Sequence, residues 1–238
     1  MKIGIIGAMD VEVEQLKHVM ADPYEERISG IPIVCGTIAG HDVIVAQCGI
    51  GKVFAAMCAQ TLCLHFAPDC IINTGVAGTL SPELRIADVA VGASVVQYDV
   101  DTTAFGDPVG MISGLNQVYF PADARLVAAA ERALQSLGVH YLAGTIASAD
   151  RFLADPAKKT ELHQSFGAIA CEMEGGAIGQ VCTVNHVPFL ILRAISDGAN
   201  GDAEMDYPTF LQAAAMKSSE VLREMIAGIS DADRRDYE

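Results

Sequence analysis

Three acidic residues follow directly on apolar stretches of the chain. Glu12 lies just beyond Lys2–Gly7, Glu174 closes Ile169-Ala170-Cys171-Glu172-Met173-Glu174, and Asp197 closes Leu190-Ile191-Leu192-Arg193-Ala194-Ile195-Ser196-Asp197. Carboxyl groups at the ends of buried strands can protonate a leaving group, take a proton from water, or steady positive charge developing on a sugar. Arg193 sits inside the last of these apolar runs, where a guanidinium is too costly to bury without a carboxylate partner. Glu172 and Glu174 lie two residues apart at the end of one predicted strand; they are expected to face opposite sides, and at least one needs a partner or a ligand. If the strands are neighbours, three carboxylates and Arg193 converge on a cleft that could hold a polyhydroxylated substrate and protonate or hydrate it. Taken singly, Glu12 also fits a helix start and Asp197-Gly198 a turn.

The elements that must position these acids alternate steadily along the chain. Strands are predicted at 2–7, 31–39, 42–48, 70–73 with a continuation through 78, 88–97, 141–148, 169–173 and 187–196. Helices are predicted at 10–21, 52–66 before Pro68, 122–137 before Gly138, 156–165, 175–185 and 207–226. Residues 98–120 lack a clear period and exceed the usual length of a structureless connection, which points to a functional segment. No repeat or linker interrupts the pattern. The expectation is one α/β domain over 1–229, a three-layer sandwich with a central mixed sheet, followed by a polar, frayed tail at 230–238. In such folds ligands sit beyond the carboxyl ends of the strands.

Composition narrows the partners. The 238 residues are 51% hydrophobic and 19% charged, ample for a large core. Asp and Glu number 30 against 15 Lys and Arg, a formal charge of −15, the wrong sign for nucleic acid or an anionic membrane. No apolar run approaches the ~20 residues of a membrane helix, and the start lacks the marks of a signal peptide. Seven cysteines lie mostly in apolar runs without metal-ligand spacing, and the histidines are scattered. Reduced thiols, no metal, no cofactor and a cytoplasmic location are expected.

At these same residues the chain resembles the 5′-methylthioadenosine/S-adenosylhomocysteine nucleosidases, within the nucleoside phosphorylase superfamily. The resemblance runs from Met1 to about Ile229. It is carried by Gly4-Ile5-Ile6-Gly7-Ala8-Met9 with Glu12, Gly49-Ile50-Gly51-Lys52, Ile71-Ile72-Asn73-Thr74-Gly75, Thr103-Ala104-Phe105-Gly106, Glu172-Met173-Glu174 and Arg193-Ala194-Ile195-Ser196-Asp197. It implies a nucleoside phosphorylase/hydrolase-like fold and hydrolysis of an N-glycosidic bond, releasing adenine and a 5-substituted ribose. Asp197 would be the acid that protonates the purine N7, and Glu12 the base that activates water. Glu174 would bind the ribose hydroxyls, with Met173 beside the sugar and Arg193 orienting the water. Phe152 would stack on the base and the Leu153 backbone would meet its edge. The resemblance also places Glu172 and Ser196 in the substrate site. Met9, Ile50 and Tyr207 would line the pocket for the 5′ substituent, joined by Phe105 from the other subunit of a homodimer.

The roles suit the chemistry, since a ribosyl-cation-like transition state needs a protonated leaving base, a positioned water and a nearby negative charge. The chain departs from the family pattern at Val76, where many members carry Ser, and at Asp107 and Arg151. These bear on the preferred 5′ substituent. Alternative readings are a futalosine-type nucleoside hydrolase, a purine nucleoside phosphorylase, or a non-catalytic adenosine-derivative sensor. A sensor has no need of Glu12, and a phosphorylase needs basic residues where residues 7–12 offer two acids and no Arg.

Overall fold

The computed structural model describes residues 1–198 and 203–229; the expected frayed tail at 230–238 lies outside them. Among the described residues the strands are β1 (Lys2–Gly7), β2 (Ala21–Ile28), β3 (Ile31–Ile38), β4 (His41–Gln47), β5 (Cys70–Thr79), β6 (Val89–Gln97), β7 (Tyr119–Pro121), β8 (Tyr141–Ser148), β9 (Ala168–Glu172) and β10 (Phe189–Asp197). The helices are α1 (Asp10–Val19), α2 (Lys52–Phe66), α3 (Ala124–Ser136), α4 (Pro156–Phe166), α5 (Gly175–Val184) and α6 (Ala203–Gly228).

All ten strands belong to one mixed sheet, as expected. Its topology goes further than an open central layer. β5 pairs with β10 in parallel and with β9 antiparallel, while β10 pairs with β6, β6 with β8, and β8 with β9. Those five strands therefore close into a ring. β1, β4, β3 and β2 continue from β5 as an open wing, with β1 parallel to both β4 and β5.

The apolar runs explain the layers. Side chains alternate along each strand, so Ile3 and Ile5 of β1, Ile72 of β5 and Leu190 and Leu192 of β10 pack against α1, α3 and α6. Ile6, Ile71 and Ile191 point the other way, onto α2 and α5. Helix ends follow from local chemistry. Asp123 caps α3 by accepting from the backbone N–H of Arg125 and Leu126, and Asp155 caps α4, which has Pro156 in its first turn and ends on Gly167 at φ 61°.

Three expectations are corrected. The helix expected at 10–21 stops at Val19, and Ala21–Ile28 is β2, an edge strand antiparallel to β3. That strand is exposed along nearly all its length, so no apolar alternation marks it. The terminal helix starts at Ala203 rather than at 207. Within residues 98–120 a 3-10 turn forms at Thr103–Phe105, and the segment ends in β7, paired with β6.

Candidate active site

A cavity of about 260 Å³ opens beyond the carboxyl ends of β1, β5, β9 and β10. Glu12, Glu172, Glu174 and Asp197 all stand in its wall.

Glu12 enters from the first turn of α1. Its side chain reaches back to the start of its own helix, Oε2 accepting from the N–H of Ala8 (2.8 Å) and Met9 (2.9 Å), and Oε1 accepts from Val76 N–H at 3.1 Å. The helix-capping role and the cavity role are thus one arrangement. Burial raises its pKa, against the opposing pull of Arg193 and the three N–H groups. β5 leaves room for it at Gly75, where a Cβ would lie 2.5 Å from Glu12 Oε1.

The expectation that Glu172 and Glu174 face opposite sides is corrected: residues two apart along a strand share a face, and both acids stand in the wall of the same cavity. β9 ends at Glu172, the backbone bends through Met173, and Glu174 stands at the N-cap position of α5 without a side-chain capping bond. Both acids reach Arg193, whose Nη2 lies 2.5 Å from Glu172 Oε2 and 3.6 Å from Glu174 Oε2. Glu172 is saturated: besides Arg193 it accepts from the N–H of Glu174 and Gly175 and from Ser148 Oγ. It holds the frame. Glu174 keeps spare capacity: among the described residues it accepts only Gly51 N–H at 2.8 Å besides its ion pair. Gly51 can offer that N–H from φ 101°, a conformation side chains disfavour. Burial, then the Glu172 charge, push the Glu174 carboxyl up to about 7, with Arg193 pulling the other way.

Arg193 is buried behind the cavity wall, as its apolar strand required. It donates to Asn73 Oδ1 at 2.5 Å, and Asn73 in turn donates to Ile6 O, tying β10 to β5 and β1. Burial lowers its pKa, but the charges of Glu172, Glu174 and Glu12 outweigh that and hold it above its ordinary value.

Asp197 is set by a register shift. Ile195 pairs with Ala77 and Asp197 with Gly78, so Ser196 is an extra residue in β10, a bulge of the kind that re-aims side chains at strand ends. Ser196 Oγ donates to Asp197 Oδ1 at 3.0 Å. Lys159 of α4 donates to Oδ2 at 2.9 Å and to Gly198 O at 2.6 Å.

The remaining wall is apolar. Phe152 and Tyr207 meet edge to face, centroids 5.4 Å apart, and the Tyr207 hydroxyl lies 3.5 Å from Met9 Sδ. Met9, Ile50, Val76 and Met173 complete that side. Leu153 is expected to act through its backbone and Phe105 from a second subunit, and neither side chain joins this wall. The Leu153 side chain packs with Leu162 and Ala168 and borders a neighbouring cavity, and Phe105 is 87% exposed, outside this wall. Lys159, Ser148, Asn73 and Cys171 belong to the site or its supports without having been singled out from sequence. Lys159 in particular reads there as one of two consecutive lysines on a polar helix. Among the described residues no cluster of His, Cys, Asp and Glu could hold a metal ion.

Comparison with known proteins bears on this geometry. The family described as Phosphorylase superfamily matches residues 2–227. A 5′-methylthioadenosine/S-adenosylhomocysteine nucleosidase of Shewanella halifaxensis is 44% identical over 92% of this chain and 96% of its own. The crystal structure of a Neisseria meningitidis nucleosidase of that name, in complex with methylthio-immucillin-A, superposes with a TM-score of 0.92 at 35% identity, covering 96% of this chain and 99% of the other. A futalosine hydrolase of Helicobacter pylori superposes with a TM-score of 0.90 at 34% identity, over 96% and 98% of the two chains.

Proposed function

Because the chain belongs to the phosphorylase superfamily, with relatives 44% identical along nearly its whole length, we propose that its cavity cleaves the N-glycosidic bond of 5′-methylthioadenosine and S-adenosylhomocysteine, releasing adenine and a 5-substituted ribose. It is a nucleosidase and a hydrolase. The observation that carries this reading is the convergence of Glu12, Glu174 and Asp197 on one small cavity beside Phe152 and Tyr207.

The chemistry divides among the acids. Asp197 donates a proton to the purine N7 as the C1′–N9 electron pair moves into the base. Glu12, with both oxygens anchored to backbone N–H groups, accepts the proton of the water that attacks C1′; its raised pKa makes it a better base. Glu174 takes the ribose hydroxyls and, ionised, favours the cationic sugar. Arg193 sustains Glu172 and Glu174, and through them the water's position. Phe152 stacks on the base, the Leu153 backbone meets its edge, Met173 packs beside the sugar, and Met9, Ile50 and Tyr207 receive the 5′ substituent. Val76 removes a hydroxyl from that surface and supplies its N–H to Glu12.

Water rather than phosphate is the nucleophile. Arg193 and Lys159, the cations buried at this site, are both engaged by its carboxylates, and Glu12 would repel a dianion attacking C1′. Incubation with methylthioadenosine in phosphate-free buffer should release adenine and a free reducing sugar in equal amounts. Strict dependence on phosphate, with a ribose 1-phosphate formed, would overturn hydrolysis. The likeness to futalosine hydrolase favours one second substrate class, and futalosine in the same assay tests it.

The working form we propose is a homodimer. Val53, Phe54, Met57 and Leu64 of α2 are exposed beside Ile50, and Phe105, exposed on its own chain, would complete the neighbour's pocket. A cytoplasmic setting suits the seven unbridged cysteines.

A further inference from the structure

Lys159 is 1% exposed, and its ammonium touches the acid assigned to protonate the base. Its neighbour Lys158 does what lysines on a polar helix ordinarily do, pairing with Glu161 at the surface. Burying an ammonium costs several kcal/mol per ion before pairing, and this one spends its hydrogen bonds on Asp197 Oδ2 at 2.9 Å and Gly198 O at 2.6 Å. The second bond fixes the backbone immediately after Asp197. On the other side of the carboxyl, Ser196 Oγ meets Oδ1. Both oxygens are therefore held, by chemically different donors.

That asymmetry matters for an acid. A proton on Oδ2 would sit beside a fixed ammonium that has no acceptor to offer, whereas Oδ1 meets only a neutral hydroxyl donor and keeps its other lone-pair direction for the acid's proton. We propose that Lys159 is a positioning residue for leaving-group protonation: it confines the proton of Asp197 to Oδ1 and stabilises the carboxylate left when the purine N7 takes that proton. In the step itself the Oδ1–H bond breaks and N7–H forms as C1′–N9 cleaves. The negative charge gained by the carboxyl appears 2.9 Å from a fixed positive charge, an interaction that strengthens only as the transition state is reached.

This inference rests on the nucleosidase reading, and the experiment separates the two. Wild-type protein that releases no adenine from methylthioadenosine refutes the nucleosidase reading itself. Given activity, Lys159→Met is compared with wild type on methylthioadenosine and on 4-nitrophenyl 5-methylthio-β-ribofuranoside, whose leaving group departs without a proton. The expected result is a fall of about 10- to 100-fold in kcat for the adenine nucleoside, with KM and the nitrophenyl substrate changed less than about 3-fold, and partial rescue by Lys159→Arg. A purely structural lysine would lower both substrates together, and unchanged turnover would show no role at all; either overturns the proposal. Should Lys159→Met fail to fold because Asp197 is left unpaired, Asp197→Asn is compared with the double variant Lys159→Met/Asp197→Asn, whose pair is neutral. Little further loss on the adenine nucleoside supports action through Asp197, and a full additional loss refutes it.

Discussion

Glu12 is anchored by three backbone N–H groups and Asp197 by two side chains, so each offers chemistry from a fixed direction. Asp197→Asn and Glu12→Gln keep volume and most hydrogen bonding while abolishing proton transfer. Each is expected to lower kcat by roughly 10²- to 10⁴-fold with the thermal unfolding transition retained; a folded variant with near-normal turnover would remove that residue from the mechanism. Glu174 makes a prediction about pH. Its carboxyl, pushed up to about 7 in the folded protein from an ordinary value of 4.5, binds more protons folded than unfolded between those values. Stability therefore falls as pH rises through that window and levels off above it, while kcat/KM rises as the anion forms. Glu174→Gln should remove this contribution to the stability profile, read by urea titrations from pH 4 to 8. An unchanged profile would reassign the titration.

At the scale of elements, β5 works by what it lacks. Gly75 and Gly78 lie where a Cβ would come within 2.5 Å of Glu12 Oε1 and Asp197 Oδ2 respectively, so the strand between β1 and β10 passes close beneath both acids. Neither glycine has a positive φ, so alanine suits the backbone; the conflict at Gly78 is with the Asp197 carboxylate, and at Gly75 with Glu12 and also with Arg193 Nη1, 3.0 Å away. Gly78→Ala should fold and bind substrate, yet lose at least about 10-fold in kcat as Asp197 is displaced; its far-ultraviolet circular dichroism and steady-state kinetics check this. The Ser196 bulge does related work, turning Asp197 toward the cavity that a regular strand would have aimed elsewhere.

For the whole molecule, closure of the five-stranded ring puts the ends of β5, β9 and β10 around one opening, and α1, which follows β1 of the wing, adds Glu12. The exposed apolar face of α2 and the 87% exposed Phe105 are what a second copy would cover. Sedimentation at micromolar concentration is expected to give a dimer, with Phe54→Glu shifting it toward monomer and reducing kcat/KM for methylthioadenosine. A fully active wild-type monomer would contradict this.

Sequence by itself determined the elements that announce themselves locally. β1, β6, β8 and α2 follow from apolar runs punctuated by Gly, Pro and acidic caps, and Glu12, Glu174, Arg193 and Asp197 stand out because charge at or within such runs needs a reason. It could not reveal β2, whose residues are polar because one edge strand buries little, nor that Glu172 and Glu174 both meet Arg193, whose strand is brought to them only by the closed sheet. Lys159 was invisible for a deeper reason. Periodicity reports on neighbours a few residues apart, whereas its partner is 38 residues away, on a strand that reaches it only once the sheet has closed. Which charges meet is decided by tertiary contact, since a buried ion pair forms only where folding removes water from both partners together.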